Sequence, residues 1–521
     1  MVLNKYLKNR ISIIYPILIL LLSSCVSSHI HHYRFNQKTS APKLRDDVVL
    51  LKKILESNHP SLYWYTPKDS IDYYFNNAIN SINDSLTETA FRNKVACVIS
   101  KIHCGHTAVR QSVDYNKLLE KNHYPMFPLS IKTWGDTMVV IGSYFPKDSI
   151  FKRGTIITSI NGKTNKQLLD SMFQLIGTDG YSNVYKSQMI SGNFPSMYKL
   201  VWGLDSSYTI TYLDALGRQQ KATISNYAPS IIKVKSTKKA TDSLKAVVKT
   251  LPKVKKLSRK QRRENKLQNF RSLSIDSTES TAYMRLSTFS EGHLRTFFRR
   301  SFKKLEDTKT KNLIIDIREN TGGYVSASNL FTKYIINKPF KNADTVAAIT
   351  KSIKHPYYVR ESLKYWFCAH FVSRKMADGR YHDRRAETHF FNPKTKHHFD
   401  GKVYVLQGGY TYSASTMFTS TVKGQSNVTI VGEESGGGYY GNTAMYMPTI
   451  ILPNSKLRVI MPTFRMVMDT NRKKDGRGVK PDVYVPASSE AIRKGIDIKL
   501  EAAKKLIVDC HKDTKSQRST N

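Results

Sequence analysis

The chain has 521 residues and carries 82 Lys and Arg against 40 Asp and Glu, a formal charge of +42. Its length suits about two to four domains, and its five cysteines show neither CxxC nor paired spacing, which excludes a disulfide scaffold and a cysteine zinc site. Nucleic acid is the usual partner of so basic a chain, but no recognition module is found; anionic lipid headgroups, surface polysaccharide or acidic proteins fit better.

Lys5, Lys8 and Arg10 precede the apolar run Ile11–Leu22, and Ser23-Ser24-Cys25 follows. This is the pattern of a secretory signal. The run is interrupted by Pro16 and falls short of the roughly 20 residues a membrane helix needs. The residues around Cys25 resemble the lipobox of bacterial lipoproteins, which implies cleavage before Cys25 and a lipid on it; an ordinary secretory signal is the other reading. Residues 25–45 suit a polar tether, with His29, His31 and His32 as a weak metal-binding possibility. Helical patterning then predicts helices over Asp47–Ser57, Ser70–Ile82 and Glu88–Ile102, a helical subdomain over 46–112. Cys97 and Cys104, roughly 10 Å apart along such a helix, read as buried thiols.

From 113 to 230 short strands dominate: Pro128–Thr133, Met138–Ser143, Thr155–Ile160, Tyr208–Leu213 and Gln220–Ser225. An Asn161-Gly162 turn and a helix near Gln167–Leu175 complete a β-rich unit that resembles a PDZ-like module, a resemblance that implies a peptide-binding groove. Lys233–Arg271 holds fifteen Lys and Arg against Asp242 and Glu264. It reads as a solvated linker or insertion over 231–275, able to touch anionic lipid or polysaccharide. Beyond it strands and helices alternate: strand Thr281–Leu286, helix Leu294–Leu305, strand Asn312–Ile317, helix Val325–Ile335. That alternation predicts an α/β core over 276–487. Thr345–Asp400 reads as an irregular insertion, and 488–521 as a terminal helix and tail.

Ser413 is the leading candidate nucleophile. Val403–Leu406 runs as a strand into Gly408-Gly-Tyr-Thr-Tyr412, Ser413 opens the helical segment Ala414–Val422, and a second strand, Val428–Val431, follows. A hydroxyl at a strand-to-helix turn lies beside unpaired helix N–H groups, where an oxyanion is stabilised. A helix cap is the plainer reading of such a serine. Three segments in order decide between them: Leu313-Ile-Ile-Asp-Ile-Arg-Glu-Asn-Thr-Gly-Gly323, the Ser413 segment with Gly432-Glu-Glu-Ser-Gly-Gly-Gly438, and Gly478-Val-Lys-Pro-Asp-Val483. Together they resemble the signature blocks of the S41 family of serine peptidases, over most of residues 46–487. The resemblance implies a ClpP/crotonase-like core and peptide-bond hydrolysis through serine.

The family's Ser–Lys branch has no lysine candidate here: glycines 436–438 stand at its place, and Lys423 lies roughly 15 Å along the helix from Ser413. The resemblance to the tricorn-like branch implies His106 as base, His103 being the weaker choice. The polar group preceding that histidine is absent, since Gly105 stands there. The same branch implies an acid before the last block; Asp475 stands there, and equally reads as an Asp-Gly turn residue. Ala414, Gly322 and Gly323 would supply oxyanion-hole N–H groups, with Asp316 and Arg318 bracing the turn.

The expectation is therefore a lipid-anchored serine endopeptidase or carboxyl-terminal-processing peptidase of the cell envelope, acting on exported or unfolded proteins. No organic cofactor, metal or nucleic acid is implied. One alternative is a catalytically impaired lipoprotein that binds peptides or polymers. Others are a metal hydrolase built on His370, His382, His389, His397 and His398, which lack an HExxH pattern, and Cys104 as nucleophile.

Overall fold

A computed structural model describes residues 33–122, 124–229 and 258–516. The signal, Cys25, the tether histidines and most of the basic linker lie outside them. Among the described residues no helix is long and apolar enough to cross a membrane.

The amino-terminal helices are α1 (Ala41–Asn58), α2 (Lys68–Asn80) and α3 (Glu88–Ser100). Thr87 caps α3 by accepting the Ala90 N–H. Leu44, Val48, Leu51 and Leu55 form a buried stripe at helical spacing on α1 and share one core with Phe91 and Val95 of α3.

The second unit is an antiparallel sheet of β1 (Leu129–Trp134), β2 (Thr137–Ser143), β3 (Ile156–Ile160), β4 (Ser207–Leu213) and β5 (Gln219–Ser225) in that spatial order. Asn161 and Gly162 both take positive φ, as a tight hairpin demands, and return the chain from β3 onto Lys163–Thr164. Inserted before β4 are α4 (Asn165–Phe173), α5 (Asn183–Gly192) and α6 (Phe194–Trp202). The last two were not expected from sequence: their polar and aromatic residues give α5 no clean apolar stripe.

The α/β expectation holds for the third unit. A helix α7 (Arg259–Gln268) leads into β6 (Arg271–Asp276), so ordered structure begins within the stretch read as linker. Then come β7 (Thr281–Leu286), α8 (Leu294–Asp307), β8 (Asn312–Asp316) and α9 (Val325–Thr332). The region read as irregular holds β9 (Thr345–Ala348) and α10 (Ser362–Val372). After it follow β10 (Lys402–Gln407), α11 (Ala414–Val422), β11 (Val428–Gly432), β12 (Gly441–Ala444), β13 (Phe464–Val467), β14 (Val483–Tyr484) and α12 (Ile498–Ser516).

The main sheet runs β6-β7-β8-β10-β11-β14, parallel from β7 onward. All five residues of β8 are buried, because α8, α9 and α11 cover one face and Ala503 and Ile507 of α12 the other. Two smaller antiparallel sheets tie the units together. In one, β9 pairs β13, which also pairs β12, so part of the supposed insertion is core. In the other, Ala108–Arg110 pairs with Arg458–Ile460. That pairing fixes the chain two residues beyond His106 to Arg458–Ile460, in the carboxyl-terminal half of the chain.

Candidate active site

Ser413 sits at φ 54°, ψ −123°, between the carboxyl end of β10 and the first turn of α11. A β-carbon at positive φ costs about 1–3 kcal/mol, and the surroundings hold it there. Thr411 Oγ1 donates to Ile317 O (3.1 Å) and accepts the Gly408 N–H (3.1 Å). Tyr412 N–H reaches Asn320 O at 3.2 Å, while Gly436 N–H and Thr416 Oγ1 both donate to Thr411 O. Ser413 stands at the N-cap position of α11, but its side chain makes no capping hydrogen bond.

The glycine turn lies against it. A β-carbon built on Gly322 would fall 2.8 Å from Ser413 Cβ and 3.0 Å from Ala414 N, so only glycine permits this approach. Gly322 N–H is taken by Asn320 Oδ1 at 2.9 Å. The N–H groups of Ala414 and Gly323 donate to no described group, which leaves these two of the three expected donors open to an oxyanion. Asp316 and Arg318 pair at 2.6 Å, and Arg318 also binds Asp497 at the start of α12, bracing the turn from below.

His106 follows α3 and packs at a tilt of 37° against the ring of Tyr412, the residue before Ser413, with ring centroids 4.9 Å apart. Its Nδ1 lies 3.2 Å from the Tyr412 hydroxyl and 3.9 Å from Asp179 Oδ1. No hydrogen bond joins His106 to Ser413, and the hydrogen bond of the ring runs through Nδ1. Burial lowers the histidine's pKa below its ordinary value, and Asp179 opposes the fall. Asp179 is itself buried, which raises its pKa, with His106 foremost among the groups that pull it back. Its Oδ1 also accepts the Gly105 N–H at 2.9 Å. The Tyr412 hydroxyl, held protonated by burial and then by Asp179, fills the space a side chain at 105 would need: a β-carbon there would lie 2.2 Å from it. The missing polar group before His106 is thus replaced in space by a tyrosine from another element.

Asp475 is not brought to His106. It is exposed and closes a turn by accepting the Arg477 N–H at 2.9 Å. Sequence reasoning missed Asp179 and Tyr412. Asp179 stands in an ordinary-looking Thr-Asp-Gly turn of the β-rich unit, 74 residues from Gly105, and nothing in spacing links the two. His103 is tied away from Ser413 by its hydrogen bond to Gly180 O (2.8 Å). Cys104 is buried, its thiol pushed up to about 12 by desolvation, and so is unsuited to attack. Lys423 pairs with Asp482 at 2.7 Å, away from the serine. His382, His397 and His398 are each spent on nearby carboxylates, and no group of three potential metal ligands occurs among the described residues.

Beside the glycine turn opens a groove of about 620 Å³. Ser290, Tyr324, Phe289 and Leu267 form its apolar and hydroxylic wall, and Arg263, Lys266 and Arg295 bring positive charge.

No curated protein matches the sequence. Among solved structures, mature CPAF superposes with a TM-score of 0.59 at 12% identity, over 90% of this chain and 96% of that one. A CPAF mutant gives 0.61 at 10% identity over the same shares. These likenesses establish the fold. The sequence of residues 280–485 matches the model of peptidase family S41, a family of serine peptidases.

Proposed function

We propose that Ser413 is the nucleophile and His106 its general base, with Tyr412 and Asp179 orienting the histidine. The observation that carries this reading is the packing of His106 against Tyr412, with Nδ1 3.2 Å from the tyrosine hydroxyl, immediately before a strained serine whose backbone faces the Gly322 turn. With Nδ1–H donated toward Tyr412 and Asp179, Nε2 is the basic nitrogen. It takes the Ser413 proton as Oγ attacks the peptide carbonyl, and gives it to the departing amine as the C–N bond breaks. Ala414 and Gly323 N–H groups hold the oxyanion. Water then enters along the same path: Nε2 takes a proton from it as its oxygen attacks the acyl carbonyl, and gives that proton to Ser413 Oγ as the acyl–serine C–O bond breaks.

The substrate is an unfolded or carboxyl-terminal segment of an exported protein, received by the PDZ-like β-rich unit. Arg263, Lys266 and Arg295 favour acidic side chains next to the scissile bond. The signal-like residues 5–25 support a cell-envelope, lipid-anchored site of action.

The test is hydrolysis of an unfolded protein by the parent and by Ser413→Ala and His106→Ala. Both variants are expected to lose at least about 10³-fold in kcat/KM. Substrate binding without turnover in the parent would favour a catalytically impaired peptide binder.

A further inference from the structure

Helix α10 is apolar on both of its faces. Tyr365 and Ala369 point inward and are buried, and the Tyr365 hydroxyl is tied to Thr350 O. The outward face repeats large apolar residues at the same helical spacing: Leu363 is 68% exposed, Trp366 39%, Phe367 50% and Phe371 85%. A surface helix of a water-soluble unit turns polar residues outward; one apolar all round needs a second apolar phase.

The charges around it identify that phase. Lys354, Arg360, Lys364, Arg374 and Lys375 are all exposed and have no ion pair among the described residues. Between Lys354 and Met376 the only acid is Glu361. Aromatic side chains ringed by unpaired Lys and Arg match the boundary of an anionic bilayer, where rings settle among headgroups and cations are drawn to the negative surface. The inner face already fixes the helix, and Ser373 Oγ closes its end on Ala369 O at 2.6 Å, so insertion needs no folding step.

We infer that the Leu363–Trp366–Phe367–Phe371 face of α10 inserts into the headgroup region of an anionic phospholipid bilayer. This does not rest on the catalytic assignment, nor on lipid at Cys25. Any amino-terminal anchor is common to all variants below, so the readout must be local to α10. Trp366 provides it.

The full chain is mixed with vesicles of brominated phosphatidylglycerol and phosphatidylcholine, and tryptophan fluorescence is followed. Trp366 is one of four tryptophans, so the parent is expected to lose up to about a quarter of its emission. Trp366→Phe should lack that loss, phosphatidylcholine vesicles alone should give less of it, and Phe367→Ser/Phe371→Ser should abolish it while sparing hydrolysis of a soluble substrate. Equal quenching in the parent and Trp366→Phe would overturn the inference. So would lipid-free dimers that Phe371→Ser dissociates, which would assign the face to a second copy of the chain.

Discussion

Two opposing effects set the proton affinity of His106. Burial lowers it and Asp179, 3.9 Å away, raises it, the balance lying below the ordinary histidine value. A general base works in its neutral form, so the acid limb of kcat is expected below pH 6.5. Asp179→Asn removes the raising influence. The limb then moves to still lower pH, and the maximal rate falls by roughly 10²–10⁴-fold as the ring loses its orientation. A pH profile of kcat for both proteins checks this. An unchanged limb and rate would make Asp179 a merely structural acid that holds Gly105. Neither Asp179 nor Tyr412 was legible as a partner, since their roles depend on a tertiary meeting of segments distant in sequence. The strand, small-residue turn and helix around Ser413 were legible because they are local patterns, whereas His106 was singled out only by a motif resemblance.

At the scale of elements, four segments converge on the serine: the chain after α3, the loop before α5, the β8–α9 turn and the β10–α11 turn. The helix α5 of the β-rich unit lies directly on the β10–α11 turn. A β-carbon on Gly409 would meet Val184 O at 2.5 Å, and one on Gly436 would meet the Tyr185 ring at 2.8 Å. Gly409→Ala must therefore push backbone from backbone. It is expected to cost roughly 1–3 kcal/mol of stability and to lower kcat disproportionately by displacing the Ser413 turn. Gly142→Ala on β2, which faces open space, is the control and should change neither thermal unfolding nor turnover. An active Gly409→Ala protein of parental stability would show that the two units dock loosely. The strands and helices of the α/β core were legible to within a few residues, as Thr281–Leu286 and Ala414–Val422 illustrate, because buried parallel strands and amphipathic helices carry strong apolar patterns. The stretch 345–400 was not, since β9 is four residues long and its partner β13 lies far along the chain, Thr345 pairing with Val467.

Across the whole molecule, no one unit holds the site. In the proposed site the helical segment brings His106, the β-rich unit Asp179, and the α/β core Ser413 with the Ala414 and Gly323 N–H groups. The core clusters follow the same plan: one joins α1 and α3 to β9 and β13, so the segment carrying His106 is mounted on the core rather than on a free lobe. The family match covers residues 280–485, which include Ser413 but neither His106 nor Asp179. Whether these parts act together is tested most directly by labelling the parent chain with a fluorophosphonate and mapping the adduct by mass spectrometry. A single adduct on Ser413, slowed by roughly 10²-fold or more in His106→Ala, is the expected result. An adduct on another serine, or a Ser413 labelling rate unchanged in His106→Ala, would contradict the pairing of nucleophile and base.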